Sequence, residues 1–300
     1  MTDVTAGMEI AASANGAPAL KVRGYWRTVG YRLRYDYVTL FFALVILLIA
    51  LSAIFAPLLA PFDPLKTSMA YRLKPVGFRS FLLGTDELGR DMLSRLVYGG
   101  RMSLLMGLTP VVLATIIGGT LGVVAGFVGG SINMLIMRTI DIFYAFPSVL
   151  LAVAISGTMG GGMSNGLIAL TLVFIPPLCR IAETAATQVR GLDFVEAARA
   201  SGASTRSIIL THVLGNVLAP VFIYASSLIS VAILLAAGLS FLGLGVEPPT
   251  PDWGLMLSTL RQAIYVQPYV CALPGLAIFI TSLSFNLVSD GLRQAMDVRI

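Results

Sequence analysis

Side chains able to do chemistry are scarce in this chain. His212 is its single histidine, so a two-histidine metal site cannot form within it. Its three lysines, Lys21, Lys66 and Lys74, never follow a glycine, so no G-x-x-x-x-G-K-S/T loop exists to cradle ATP phosphates. An intramembrane serine protease needs a serine at a strained G-x-S-x-G-like turn with a histidine facing it. His212 falls in a polar loop instead, as a surface or packing residue. Two cysteines cannot build a disulfide framework. The expectation is a chain with no catalytic residue, no metal and no cofactor of its own.

Two constellations remain. Arg138 and Asp141 lie three apart, on one face of a helix, near the start of an apolar segment. Intramembrane charges mark function by default, but partners at i+3 favour a structural ion pair over a substrate or proton site. The second constellation is the stretch Val189–Pro220. Asp193 is a good N-cap and Glu196, three residues on, completes a capping box. Ala197, Ala198 and Ala200, beside Arg199, are strong helix formers, and Gly202 sits where a left-handed C-cap glycine belongs. Ser204 or Thr205 can cap a second helix carrying Ile208, Ile209, Val213 and Leu214. A helix, a glycine bend and an amphipathic helix make either a docking element for a soluble partner or an interfacial helix packed on its own bundle.

The elements that carry these residues follow from composition. The chain has 300 residues, 57% apolar and only 12% charged, with mean hydropathy +0.87. A soluble domain carries about 25% charged residues, and a disordered chain is charge-rich. The fold class is therefore all-α, a polytopic membrane protein. A net charge of +5 comes from basic residues set between apolar runs, which points to membrane orientation and not to nucleic acid.

A crossing needs about 20 apolar residues. The uncharged runs give six: near Val38–Leu59, Ser103–Phe127, Leu135–Ser156, Leu167–Ala186, Leu218–Leu242 and Tyr269–Val288. The first reads as a retained signal anchor. Segment 1–37 is then a cytoplasmic tail, 38–60 the first helix, 61–102 an external loop, 103–290 a five-helix unit and 291–300 the C-terminus. Twelve basic residues fall on the tail side and eight on the other, which places both termini inside. Gly118, Gly122, Gly126 and Gly130, at strict four-residue spacing, line one helix face, for packing within the chain or between subunits. Thr85–Arg101 reads as an amphipathic helix capped by Thr85, with Asp91 and Arg95 paired at i,i+4. Prolines 147, 176, 177, 220 and 274 should kink the spans.

Glu196-Ala197-Ala198, then Gly202 and the apolar run to Pro220, resembles the EAA loop of bacterial ABC importer permeases. Phe81–Arg95, Ala145–Leu151, Leu239–Gly245, Pro248–Gly254 and Phe285–Arg293 are similar to segments of the second permease subunit of dipeptide and oligopeptide importers. The resemblance covers about Leu40 to Ile300. It implies a type I importer permease fold in the bacterial inner membrane, forming half of a path for peptides. The loop at about 187–217 would couple to an ATPase subunit through Asp193, Glu196, Ala197, Ala198, Arg199 and Gly202. Implied partners are a second permease, as a heterodimer, two ATP-binding subunits that hold ATP and Mg, a periplasmic or lipid-anchored substrate-binding protein, and membrane lipid, with no nucleic acid. The Thr85–Arg101 segment would rest on the bundle or touch the binding protein. Nickel, glutathione or opines are alternative cargoes, and an uncoupled channel or scaffold is the alternative class. One departure stands out: the family usually has proline where this chain has Gly215, which is expected to loosen the second loop helix.

Overall fold

The computed structural model describes residues 25–296. Expectations for the Ala/Gly/Ser-rich tail before Tyr25 and for the last four residues lie outside the described residues. The described chain is helical, with two isolated β-bridges, Phe78–Phe81 and Thr85–Asp91. In order the helices are α1 (Tyr25–Tyr35), α2 (Tyr37–Ile54), α3 (Ala56–Leu59), α4 (Met92–Val128), α5 (Gly130–Tyr144), α6 (Ser148–Met159), α7 (Met163–Arg190), α8 (Asp193–Ala200), α9 (Thr205–Phe241, through a π-helical turn at Ile209–Val213), α10 (Trp253–Leu260) and α11 (Pro268–Met296). The helix α1 and the start of α2 occupy part of the expected tail, separated by Asp36, whose carboxylate accepts from the Val38 and Thr39 amides.

Five helices, α2, α4, α7, α9 and α11, are long and apolar enough to cross a membrane. The expected third crossing is not one straight helix. It is α5 and α6, bent by 88° across Ala145–Pro147. Proline has no N–H and forces the residue before it out of the α region, so the helix stops and restarts. With this pair counted as one broken span, six crossings remain.

The spans alternate between two ends of the bundle. One end gathers the segment 62–91, the Gly160–Gly162 turn and α10; the other gathers α1, Gly129, α8 and the end of α11. The helix α2 is apolar all round and exposes Phe41, Leu44, Leu47, Leu48 and Leu51, as a lipid-facing peripheral helix does. The main core joins α4, α7 and α9 through Met106, Val111, Leu170, Phe174, Leu178 and Val221. A second cluster, including Trp253, Met256, Leu260 and Val270, locks α10 onto α11.

Segment 61–102, expected to be external, departs most from the sequence reading. Thr85 does not cap a helix. It pairs with Asp91 in a bridge, while Gly84 (φ +78°) and Gly89 (φ +72°) turn the chain too sharply for helix. Helix α4 starts only at Met92, capped by Asp91, whose Oδ2 accepts from the Ser94 amide at 2.8 Å and the Ser94 hydroxyl at 2.6 Å. Arg95 is therefore not paired to Asp91 but lies 3.2 Å from Asp86, and Asp86 accepts from Arg90 Nε at 2.6 Å. Arg95 also donates to the Pro64 carbonyl, and Ser94 Oγ accepts from the Phe62 amide, so this buried knot pins the whole segment to the head of α4.

Candidate functional site

The glycine stripe is the frame. A side chain at Gly118 would meet the Ile175 carbonyl at 2.7 Å, and side chains at Gly122 and Gly126 would run into the carbonyls of Cys179 and Glu183. Residues 175, 179 and 183 advance by four as the glycines do, so the backbones of α4 and α7 lie in register at close approach, with Ala182 and Ala186 filling the seam. The stripe is therefore an intramolecular contact. Gly130 does not belong to it: Gly129 (φ +72°) and Gly130 (φ +57°) turn the chain out of α4, and Gly130 faces open space.

At the same end, α8 sits across the bundle. Its helix is short because Leu192, with extended backbone (φ −86°, ψ 144°), takes the N-cap position. Asp193 is thus the first helical residue and makes no cap, and the expected capping box with Glu196 does not form. Both carboxylates lie in the first turn, where the helix dipole favours them. The C-terminal end matches expectation closely. Gly202 has φ +78°, its amide donates to the Arg199 carbonyl at 2.9 Å, and the Ala203 amide donates to the Ala198 carbonyl at 3.1 Å. This pair of bonds is the Schellman arrangement. Ser204 then caps α9, its Oγ accepting from the Ser207 amide.

One side of this helix–turn–helix is anchored. Val195, Ile208 and Val213 are fully buried and join the main core. The Arg199 guanidinium lies 5.2 Å from the Phe127 ring at the foot of α4, and Phe194 meets His212 at 6.1 Å between ring centres. The other side is open. Glu196, Ala197, Gly202 and Asp193 are exposed, and Leu192 and Phe194 present 46% and 41% of their surface, an apolar face edged by acid. The expected second loop helix is not separate. It runs through the π turn directly into the fifth span, so α8 is linked to a membrane helix by one turn of chain. Gly215 lies inside this continuous helix, exposed, with no neighbour near its Cα hydrogens.

Arg138 and Asp141 are not brought together. Asp141 Oδ1 instead accepts from Arg180 of α7 at 2.5 Å, and the Arg180 guanidinium stacks 4.9 Å from the Tyr144 ring. The sequence points to the i+3 neighbour, and only the tertiary crossing of α5 over α7 reveals the real partner. Beside this pair, at the α5–α6 elbow, lies a cleft of about 300 Å³ lined by Phe143, Tyr144, Phe146, Ser148, Phe174 and Tyr224, among others. Among the described residues no cluster of His, Cys, Asp and Glu fits a metal ion.

Residues 118–300 match the family described as binding-protein-dependent transport system inner membrane component, and residues 24–75 match the N-terminal TM domain of oligopeptide transport permease C. The chain is 46% identical to a di/tripeptide transport system permease of Pseudomonas aeruginosa, over 86% of each chain. It is 41% identical to a dipeptide transport system permease of Alkalihalophilus pseudofirmus, over 92% of this chain and 90% of that one. It is 38% identical to a glutathione transport system permease of Pectobacterium atrosepticum, over 93% of both. In fold it resembles an inward-facing structure of the MetNI methionine ABC transporter, with a TM-score of 0.57 at 19% identity, over 69% of this chain and 98% of that one.

Proposed function

Because the chain belongs to the family of binding-protein-dependent transport system inner membrane components, and is a permease subunit, we propose that it is the second permease of a peptide-type ABC importer. In this reading it forms half of a path for di- and tripeptides across the bacterial inner membrane, paired with a homologous but different permease. A substrate-binding protein delivers cargo to the end that carries α10. Two ATPase subunits hold ATP and Mg, and the chain binds neither. Both termini are cytoplasmic, and lipid covers α2.

The observation that carries the reading is α8. An eight-residue helix, closed by Gly202 and seated on buried Val195, offers Leu192, Phe194, Ala197 and Glu196 outward at the end away from α10. Small side chains and an apolar ridge suit insertion into a groove, and the acidic first turn suits a basic rim. ATP favours the closed ATPase pair by differential affinity, and a rigid helix in the groove passes that bias to the spans. An importer for glutathione is the second reading, supported by the 38% identical glutathione permease. Co-expression with a partner permease, ATPase subunits and binding protein, purification and reconstitution into liposomes tests both. ATP-dependent uptake of labelled dialanine and trialanine supports the peptide reading. Uptake of glutathione alone would replace it, and flux without ATP would refute energy coupling.

A further inference from the structure

The Asp141–Arg180 pair is unusual for its place. Arg180 directly follows the apolar run that ends at Cys179, and both partners expose nearly half of their side chains, 47% and 48%. A pair left uncovered by its own chain contributes little to that chain's stability, while ionisable groups on membrane spans face a cavity or path and mark what passes through it. Tyr144 bridges the pair to the elbow cleft. Its ring stacks on Arg180 and also lines the cleft with Phe143, Phe146 and Tyr224. Pro176 and Pro177 on the cleft wall have no N–H to donate within α7, so Val173, also on that wall, loses the usual helical donor to its carbonyl.

We propose that this elbow is a peptide-terminus subsite on the path. Arg180 receives the α-carboxylate and Asp141 the α-ammonium of a zwitterionic peptide, which replaces their mutual contact with two opposite-charge pairings. The aromatic cleft accepts side chains with little discrimination, because stacking and apolar contact do not read their polar groups. Arg180 is suited to a carboxylate because its planar fork can donate two parallel hydrogen bonds. The inference rests on the peptide reading above.

The test uses the reconstituted permease–ATPase complex without its binding protein, so that selection upstream does not mask the subsite. Equilibrium binding is measured for labelled dialanine, its C-terminal amide and its N-acetyl derivative. The wild type should bind dialanine at least tenfold better than either derivative. Arg180→Gln should lose the preference over the amide, and Asp141→Asn the preference over the N-acetyl form, each keeping the other. The double variant Asp141→Arg/Arg180→Asp keeps the pair by swapping its ends; it should assemble normally and still bind poorly. Equal wild-type affinity for all three ligands, no binding of dialanine, or normal binding by the swapped pair would overturn the subsite. So would dissociation of the permease pair in the charge variants, which would make this face a subunit contact. Failure of dialanine uptake by the complete importer would instead refute the peptide reading.

Discussion

Replacing Gly202 separates conformation from bulk. Its φ of +78° is one that side chains with a Cβ reach at a cost of about 1–2 kcal/mol. A Cβ built there meets nothing within 4 Å, so in the free chain the strain is purely backbone. The turn can respond by giving up the Gly202-to-Arg199 and Ala203-to-Ala198 hydrogen bonds, each worth roughly 0.5–1.5 kcal/mol. The backbone strain caps the penalty of Gly202→Ala near 1–2 kcal/mol, which reduces the fraction of chains with a closed turn by about five- to thirtyfold relative to its open forms. Val195, Ile208 and Val213 stay buried, so insertion and the fold of the spans should be unchanged. Gly202→Asn should be milder, since asparagine tolerates the left-handed region. Gly202→Asp adds a charge at the contact and should be worst. The assay is peptide-stimulated ATP hydrolysis and uptake by the reconstituted complex, with retention of the ATPase subunits on purification. The expected order is glycine, asparagine, alanine, aspartate. Wild-type coupling in both Gly202→Ala and Gly202→Asp would refute the assignment of α8 as the coupling element.

Three further outcomes are expected. Gly122→Val should collapse the yield of folded protein, because its side chain would strike the Cys179 backbone, which cannot move aside; overpacking of this kind costs about 1–3 kcal/mol or more, and normal yield and melting temperature would contradict the register. Burial holds the Asp252 carboxyl above the usual carboxylate range, against the opposing hydrogen bonds from Ser103 and the Leu255 amide. A raised folded pKa contributes stability that is present below about pH 4, the unfolded value, and is lost as pH rises through the folded pKa. Asp252→Asn keeps a cap, so it should flatten that pH dependence of the melting temperature, whereas Asp252→Ala should lose about 1 kcal/mol; identical pH profiles in wild type and Asp252→Asn would contradict the burial. Finally, cysteine at the exposed Tyr265 should react with an impermeant maleimide in intact cells, and cysteine at Ser204 only after permeabilisation, since native Cys179 and Cys271 are buried; the reverse pattern would invert the orientation.

What was legible in the sequence is what depends on local rules. Gly202 after an alanine-rich turn can only end a helix, and it does so with the expected left-handed φ. Gly118, Gly122 and Gly126 mark a close approach by spacing alone, although the partner helix is not encoded in them. The misreadings arise where tertiary structure overrides a local pattern. Arg138 is the neighbour of Asp141 in sequence, but Arg180 is its neighbour in space. The run from Thr85 has the acidic start and apolar spacing of a helix, yet Gly89 inside it and the burial of Asp86 and Arg90 turn it into a clasp. Pro147 marks a break in the helix, but the 88° angle between its two halves is not written in the proline.

These elements divide the molecule into a stiff part and a compliant part. Helices α4 and α7 are interlocked at backbone distance from Gly118 to Gly126, about two helical turns, and α8 is tied to them through Val195 and to α9 through Ile208 and Val213. A push on α8 therefore cannot be absorbed locally, because packed interfaces shift between discrete arrangements instead of deforming continuously. Helix α5 is different: Ile140 is its single buried residue, and it leaves α4 through two left-handed glycines. It is held to α7 mainly by Asn133 to Glu183 at 2.8 Å and by the exposed Asp141–Arg180 pair. Motion delivered through α8 should thus leave α4 and α7 intact and appear at the elbow, where the cleft lies. In the proposed reading α8 moves the rigid pair α4 and α7, and the weak polar contacts of α5 set how readily the elbow cleft opens.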